Sequence, residues 1–499
     1  MALAGIIGPG ILVGTGGALA NGGPAALLIG FGIIGIIAFS ITQSLGEMTT
    51  LYSTGEALVT LSDRFVDKAF GVAVGWQYWL VWACVLANEY NVISSLMVFW
   101  SDKVPSWGYF LIFWSAFLAF QMIGVESFGE TEFWLALIKL LGLFIYFVFS
   151  IIYVSGDLIG QTEAIGFRYW HDPGAFANGF RGAAQVFVFA STFYAGVEAV
   201  PVAATETHNP SVAVPLAIRQ VIWRILFEYM GVAFFFGLTC PSDADGLVNR
   251  ASRALKSPMT INAGWEGGVH LINAFIFITV LSTIMFMAQE KMAPKFLGKT
   301  NARGVPYPAI IFTNLFGFLS WMNLSTRGGK AYGYIVNLSG VSTFLVWGAI
   351  SFTHTRFRNA WAAQGRTPDQ LPFKSFAYPW NLYFGLIANI FLALVQGWTT
   401  LSPFDAGTFV DAYILLPLFG IIYAGYKFWF KTRFWRGHEI DLDAGMRKDL
   451  DLKEEVLHGE QGDAAQMLCT QSKHIRNRTL RGFNIAFLGY KVLENVTAH

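Results

Sequence analysis

One carboxylate stands inside an otherwise apolar block, in Phe193-Tyr-Ala195-Gly196-Val197-Glu198-Ala-Val-Pro201. Glycine and proline interrupt a helix and free its backbone groups, and a buried carboxylate beside freed carbonyls can hold an ammonium group or a proton. A second interrupted block, Gly5-Ile-Ile-Gly8-Pro9-Gly10-Ile11-Leu-Val-Gly14-Thr-Gly16, carries no charge of its own. Its chemistry would be that of a half-helix N-terminus, whose unpaired amides present partial positive charge to an anion such as a carboxylate. Close helix packing through small residues would use the same glycines, so both readings stay open at this level.

Four ionisable residues fall within apolar blocks: Glu89, Lys139, Glu198 and Glu228. Each costs at least ~2.5 kcal/mol near a bilayer centre unless paired or hydrated, so each is a candidate for function. Lys139, in Phe133-Trp-Leu-Ala-Leu-Ile-Lys139-Leu-Leu-Gly, is hemmed by apolar neighbours. It is a place where a proton can come and go, or one half of an ion pair with a carboxylate on a neighbouring helix. Glu89 is either packing glue or substrate-facing. Glu228 lies four residues from Arg224, and an i,i+4 pair at the membrane edge accounts for it. Glu206, followed by Asn209-Pro210, orders the loop after the sixth block.

Elements that could position these groups follow from composition. Hydrophobic residues make up 54% of the 499-residue chain and charged residues 13%, about half the usual soluble share. Apolar blocks of roughly the twenty residues that cross a bilayer recur. They lie near Met1 to Leu19, Ala25 to Leu45, Val72 to Phe99, Tyr109 to Ile123 and Phe133 to Val154. A second series lies near Ala183 to Ala203, Val221 to Leu238, Val269 to Ala288, Ala309 to Met322, Tyr334 to Thr353, Tyr383 to Leu401 and Ala412 to Phe430. These predict an all-α integral membrane protein of about twelve transmembrane helices. The interrupted first and sixth spans open two five-helix halves, about 1–155 and about 183–354, which suggests an inverted repeat with the substrate between them. Two extra helices follow at about 378–430, completing a membrane domain of 1–434. The polar stretch 435–499 reads as a solvated cytoplasmic tail.

Lys291, Lys295, Lys299, Arg303, Arg356, Arg358, Arg366 and Lys374 crowd the loops on one side, which places both termini in the cytoplasm. The near-neutral charge of +1 gives no reason to expect nucleic acid. Scattered Cys84, Cys240 and Cys469 support neither a zinc site nor a disulfide framework. There is no triad, P-loop, metal cluster or dinucleotide fingerprint, so the expectation is a protein without a cofactor that is not an enzyme.

With these residues in place the chain resembles the fungal amino-acid permeases of the amino acid, polyamine and organocation superfamily, over nearly all of Met1 to about Asp451. The resemblance rests on Gly8-Pro-Gly10 with Ala20-Asn-Gly-Gly-Pro24, on Ser44-Leu-Gly-Glu-Met48, and on Tyr169-Trp-His-Asp-Pro-Gly-Ala-Phe176. It rests also on Ala195-Gly-Val-Glu198 with Ala204-Thr-Glu-Thr-His-Asn-Pro210, Met287-Ala-Gln-Glu-Lys-Met-Ala-Pro-Lys295 with Arg303-Gly-Val-Pro306, and Asn337-Leu-Ser-Gly340. It implies a leucine-transporter-like fold, proton-coupled uptake at the plasma membrane, and alternating access. By the family's pattern the first-span motif, carried to Gly8, Pro9, Gly10 and Ile11, holds the substrate carboxylate. Backbone carbonyls of Phe193, Ala195 and Gly196, with Val197 in the same segment, hold the amino group. Glu198 is then a proton-linked neighbour, and Lys139 resembles a fifth-span lysine of proton-driven relatives.

Three departures from that pattern stand out. Pro9 occupies a position often held by a hydroxyl residue, a version similar to a dicarboxylic amino-acid subgroup, which leans the substrate towards acidic amino acids. The chain begins at the first-span motif itself, and Val280-Leu-Ser-Thr-Ile-Met-Phe-Met runs directly into Ala288-Gln-Glu, omitting about a dozen residues, roughly half a span. Two alternatives are an amino-acid sensor that binds without net transport and an inactive truncated paralogue. Trp347 and Tyr334, in the tenth span, read as gates or walls of the pocket, although an aromatic in a membrane helix is more often lipid-facing or packing.

Overall fold

The computed structural model describes residues 10–52, 57–122, 128–157, 163–203, 210–244, 307–324 and 328–447, with a few positions between 270 and 277. Among these residues the chain is helical, with no strand and a single isolated bridge between Leu401 and Phe404.

Helix α1 (Gly10–Leu51) contains the described part of the first expected span and all of the second, joined through a bend at Gly23 (φ 82°, ψ 170°) that precedes Pro24. Only glycine suits this point, because a Cβ there would stand 2.6 Å from the Ala177 nitrogen and 2.7 Å from the Ala175 oxygen. The close approach is used for pairing. Ala25 N–H donates to the Ala175 carbonyl and Ala177 N–H to that of Gly22, each at 2.9 Å. Two motifs far apart in sequence, Ala20 to Pro24 and Tyr169 to Phe176, therefore meet at one kink.

A short helix, α2 (Ala57–Phe65), leads to α3 (Lys68–Trp100), α4 (Ser106–Gln121) and α5 (Phe128–Ser155). Asp67 caps α3 by accepting from Ala69 N–H at 3.1 Å. The sixth span is split into α6 (Gly179–Tyr194) and α7 (Ala199–Ala203). The seventh runs from α8 (Pro210–Arg224) through a π-helical turn, Ile225–Met230, into α9 (Gly231–Thr239). Then come α10 (Tyr307–Phe316) with a 3-10 extension, Gly317–Leu324, and the long α11 (Gly328–Ala363). The last are α12 (Trp380–Val395), α13 (Ala406–Tyr413) and α14 (Leu415–Phe430), the final two meeting at 45°.

Among the described residues seven helices are long and apolar enough to cross a membrane, or eight when α13 and α14 form one bent span. The expected eighth span, Val269 to Ala288, with the shortening proposed there, lies almost wholly outside the described residues. Helix α5 shows how the surface is divided. Trp134, Leu141, Phe144 and Ile151 are more than half exposed, while Lys139, Leu143, Phe147 and Ser150, at helical spacing on the other face, are buried. An outward face of that composition suits lipid.

Lipid is as apolar as leucine, so helices inside it are held by close packing rather than by water exclusion. The α1–α6 contact shows this directly. A Cβ at Gly14 would fall 2.1 Å from the Phe193 ring, one at Gly17 would touch Phe189, and one at Gly22 would lie 2.4 Å from Val186. The pairs run in opposite directions along the two helices, so the glycines of the first span are a packing face for α6.

The first compact unit covers Met1–Leu442 and the second Asp443–His499. Trp435 to Leu442, assigned to the solvated tail on sequence, thus belong to the helical unit. Ile440 and Leu442 are buried, Trp435 N–H donates to the Val66 carbonyl at 3.0 Å, and the Tyr52 hydroxyl donates to the Leu442 carbonyl at 2.7 Å. Of the second unit, residues 443–447 are described and include a turn closed by Met446 N–H to the Asp443 carbonyl at 3.0 Å.

Candidate functional site

Between α6 and α7 the helix opens at Ala195 to Glu198. Gly196 adopts φ 98°, a region closed to most L-residues, and this turns its amide towards the side chain two positions on. Gly196 N–H lies 3.1 Å from both oxygens of the Glu198 carboxylate. Val197 and Ala199 bond back only three residues, to the carbonyls of Tyr194 (3.1 Å) and Gly196 (2.9 Å). In a continuous helix those two amides would take the carbonyls of Phe193 and Ala195. The break therefore releases these two carbonyls from the ladder, whereas the Gly196 carbonyl closes the turn.

Glu198 is 1% exposed, and its second donor comes from another element: Trp347 Nε1–H of α11 donates to Oε2 at 3.0 Å. Both donors are neutral. Among the described residues no cation forms an ion pair with this carboxylate. Phe193, two residues before the break, lies across Gly14, one turn into α1 from Gly10. Gly8 and Pro9 are outside the described residues, while Gly10 and Ile11 begin α1 with their side chains undescribed. The expected interruption of the first span thus falls outside what the structure describes, and the described contact between the two segments is that of Gly14 with Phe193.

Lys139 is fully buried on α5, and the carboxylates on which its charge acts are Glu89 of α3 and Glu228 of the π-turn. Arg224 Nε donates to Glu228 Oε2 at 2.9 Å. The i,i+4 pair read from the sequence is present but buried, at 1% and 6% side-chain exposure, rather than at a wet edge. Tyr229, stacked on Tyr194 with centroids 3.8 Å apart, is within electrostatic reach of Arg224, Glu228 and Glu198. The four intramembrane charges singled out on sequence form two groups, Glu198 with its neutral donors and Glu89, Lys139 and Glu228 with Arg224.

Sequence reasoning missed a third assembly. Glu47, at the far end of α1 in Ser44-Leu-Gly-Glu-Met48, is fully buried and accepts from His354 Nε2 (2.8 Å), Arg358 Nη2 (2.7 Å) and Ser375 N–H (2.7 Å). The Tyr378 ring covers the Arg358 guanidinium at 4.2 Å. Arg358, an inner-loop charge by sequence, is only 6% exposed on α11. The available signal was the spacing of His354 and Arg358, one helical turn apart on one face.

Comparison with known proteins adds the family. Residues 1–438 match the family described as Amino acid permease. The general amino acid permease AGP3 of Saccharomyces cerevisiae is 53% identical over 468 residues, covering 90% of this chain and 83% of the relative. An uncharacterized amino-acid permease of Schizosaccharomyces pombe is 46% identical over 461 residues, covering 90% of this chain and 84% of that one. Among solved structures, the manganese transporter of Eremococcus coleocola superposes with a TM-score of 0.53 at 13% identity, over 86% of this chain and 92% of that one. Such identity speaks of fold alone, which is that of the leucine-transporter-like class. Among the described residues no group of three or more His, Cys, Asp or Glu is placed to hold a metal ion.

Proposed function

This chain belongs to the amino acid permease family, an integral membrane transporter family, and from that premise we propose that it is a proton-coupled amino-acid uptake carrier of the plasma membrane working by alternating access. One observation supports this reading most: a buried carboxylate inside a broken membrane helix, held by neutral N–H donors, beside two released carbonyls. An arriving ammonium group or proton supplies the positive charge that no described cation brings to this carboxylate by an ion pair.

The α-carboxylate of the substrate binds at the first-span motif, Gly8, Pro9, Gly10 and Ile11, as an anion does at a half-helix N-terminus. The ammonium group meets the carbonyls of Phe193 and Ala195, with Gly196 and Val197 shaping the turn. Glu198 and Lys139 handle the coupling proton, and both termini lie in the cytoplasm. The relative at 53% identity is named a general permease, which favours a substrate set wider than acidic amino acids.

The test is uptake of radiolabelled L-leucine, L-glutamate and L-lysine at pH 5 and pH 7.5 in a transporter-deficient host. Faster uptake at pH 5, abolished in Glu198→Gln, supports the reading. Binding at the cell surface without uptake at either pH overturns it in favour of a sensor, and neither binding nor uptake in favour of an inactive paralogue.

A further inference from the structure

The Glu198 carboxylate has two kinds of donor, and only one belongs to its own helix. Gly196 N–H is two residues away along the chain, whereas Trp347 Nε1–H reaches across from α11. Trp347 is fully buried, and an indole N–H can donate but never accept. Its orientation is therefore useful only while Glu198 offers an acceptor oxygen.

Helix α11 is itself anchored along its length. Thr192 of α6 donates its hydroxyl to the Val336 carbonyl (2.9 Å), Ser342 pairs with Gln77 of α3 (3.1 Å), and Asn337 donates to Asp411 of α13 (2.7 Å). Beyond Trp347 the same face continues with His354 and Arg358, two and three turns on, both bound to Glu47. A Cβ at Gly340 would lie 2.8 Å from the Val188 carbonyl, so α11 lies directly against α6. The donor at residue 347 is thus presented from a helix whose position is set at several other points.

We propose that Trp347 is a positioning residue of the substrate site: its indole N–H holds the Glu198 carboxylate against the Gly196 amide and so keeps the sixth-span break in its open-backbone form. This rests on the reading above, because the break matters for transport only if the substrate binds there. Without the indole, the carboxylate keeps only amide donors of its own broken segment among the described residues, and no other helix fixes its direction against the turn at Gly196.

The experiment is a double-substitution cycle between Trp347→Phe, which keeps an aromatic ring but no N–H, and Glu198→Ala. Two quantities are read on the full chain: KM for L-leucine, L-glutamate and L-lysine uptake with surface amount as control, and the thermal midpoint of the purified chain in detergent. The expected result is a KM about tenfold higher for Trp347→Phe. In the Glu198→Ala background the same change should add less than about twofold, with the midpoint shifts equally non-additive. Where Glu198→Ala does not fold, Glu198→Gln takes its place, and the cost of losing the indole should shrink by more than half because its acceptor is neutral. Equal losses in both backgrounds would mean that Trp347 only fills space and would overturn the proposal. If the unsubstituted chain takes up no amino acid, the carrier reading fails, and additive or non-additive midpoints still decide whether Trp347 acts through Glu198.

Discussion

Two carboxylates, Glu198 at the sixth-span break and Glu47 at the far end of α1, are equally buried and both are met by α11, yet they are satisfied in opposite ways. Glu47 faces Arg358 and His354 together with an amide from the chain before α12. Glu198 faces backbone amides of its own segment and one indole. A carboxylate matched by a guanidinium is electrostatically complete and resists change, since taking away either partner strands a charge. A carboxylate held by neutral dipoles is oriented without being neutralised. The first arrangement suits a permanent joint and the second a site that waits for a cation.

The sharpest way to break this comparison is at the joint. Arg358→Met should cost about 3–5 kcal/mol by leaving Glu47 buried with its charge unmatched. Thermal unfolding in detergent and surface delivery should both collapse, and a chain that melts like the parent would show that the two carboxylates do not differ as described.

Next in size is the site itself. Glu198→Gln keeps the shape and an acceptor oxygen, so its melting should stay within about 1–2 kcal/mol of the parent, while acid-stimulated uptake falls at least tenfold. Uptake unchanged alongside an intact fold would remove Glu198 from the coupling.

Gly196→Ala sharpens the comparison more gently. Its positive φ should cost about 1–2 kcal/mol of backbone strain, read as a lower melting midpoint together with weaker substrate binding. The corresponding substitution at Gly425 of α14, where a Cβ meets nothing within 4 Å, should leave both unchanged.

The smallest effect concerns a third buried carboxylate, at the start of α3. Burial pushes Asp67 up, but the Lys427 ammonium and the Ala69 amide outweigh it and hold the carboxyl below its usual range. A lowered folded value means that the contribution is complete above the ordinary aspartate range and disappears as the pH falls through the lowered value. The melting midpoint should therefore fall more steeply on acidification in the parent than in Asp67→Asn, and identical acid limbs would remove Asp67 from the comparison.

How much of this was legible in the sequence follows from distance along the chain. The break could be read because its signals are adjacent: Gly196 and Pro201, each unfavourable in a helix for its own reason, flank the charge of Glu198 within one apolar block. The Glu47 joint is harder to read, because its partners lie 307, 311 and 328 positions away, and the one-turn spacing of His354 and Arg358 does not say which carboxylate they share. Arg358 looked like a loop charge because the tenth span was expected to end near Thr353, whereas α11 continues to Ala363. Trp347 was noticed as an aromatic wall. Its role as a donor depends on what stands opposite, which periodicity does not encode.

The Gly23 kink bears on how such a chain can drift over generations. The two pins between the kink and the loop before α6 join amide to carbonyl, so they do not depend on which side chains the loop carries. Phe176, more than half exposed between Ala175 and Ala177, can be exchanged for other residues with both pins intact. Adding or deleting one residue between Ala175 and Asn178 would move an amide out of reach and release the bend. Mutational scanning of this loop should accordingly accept most letters and reject most changes of length, with Gly23 as the position where spelling counts too.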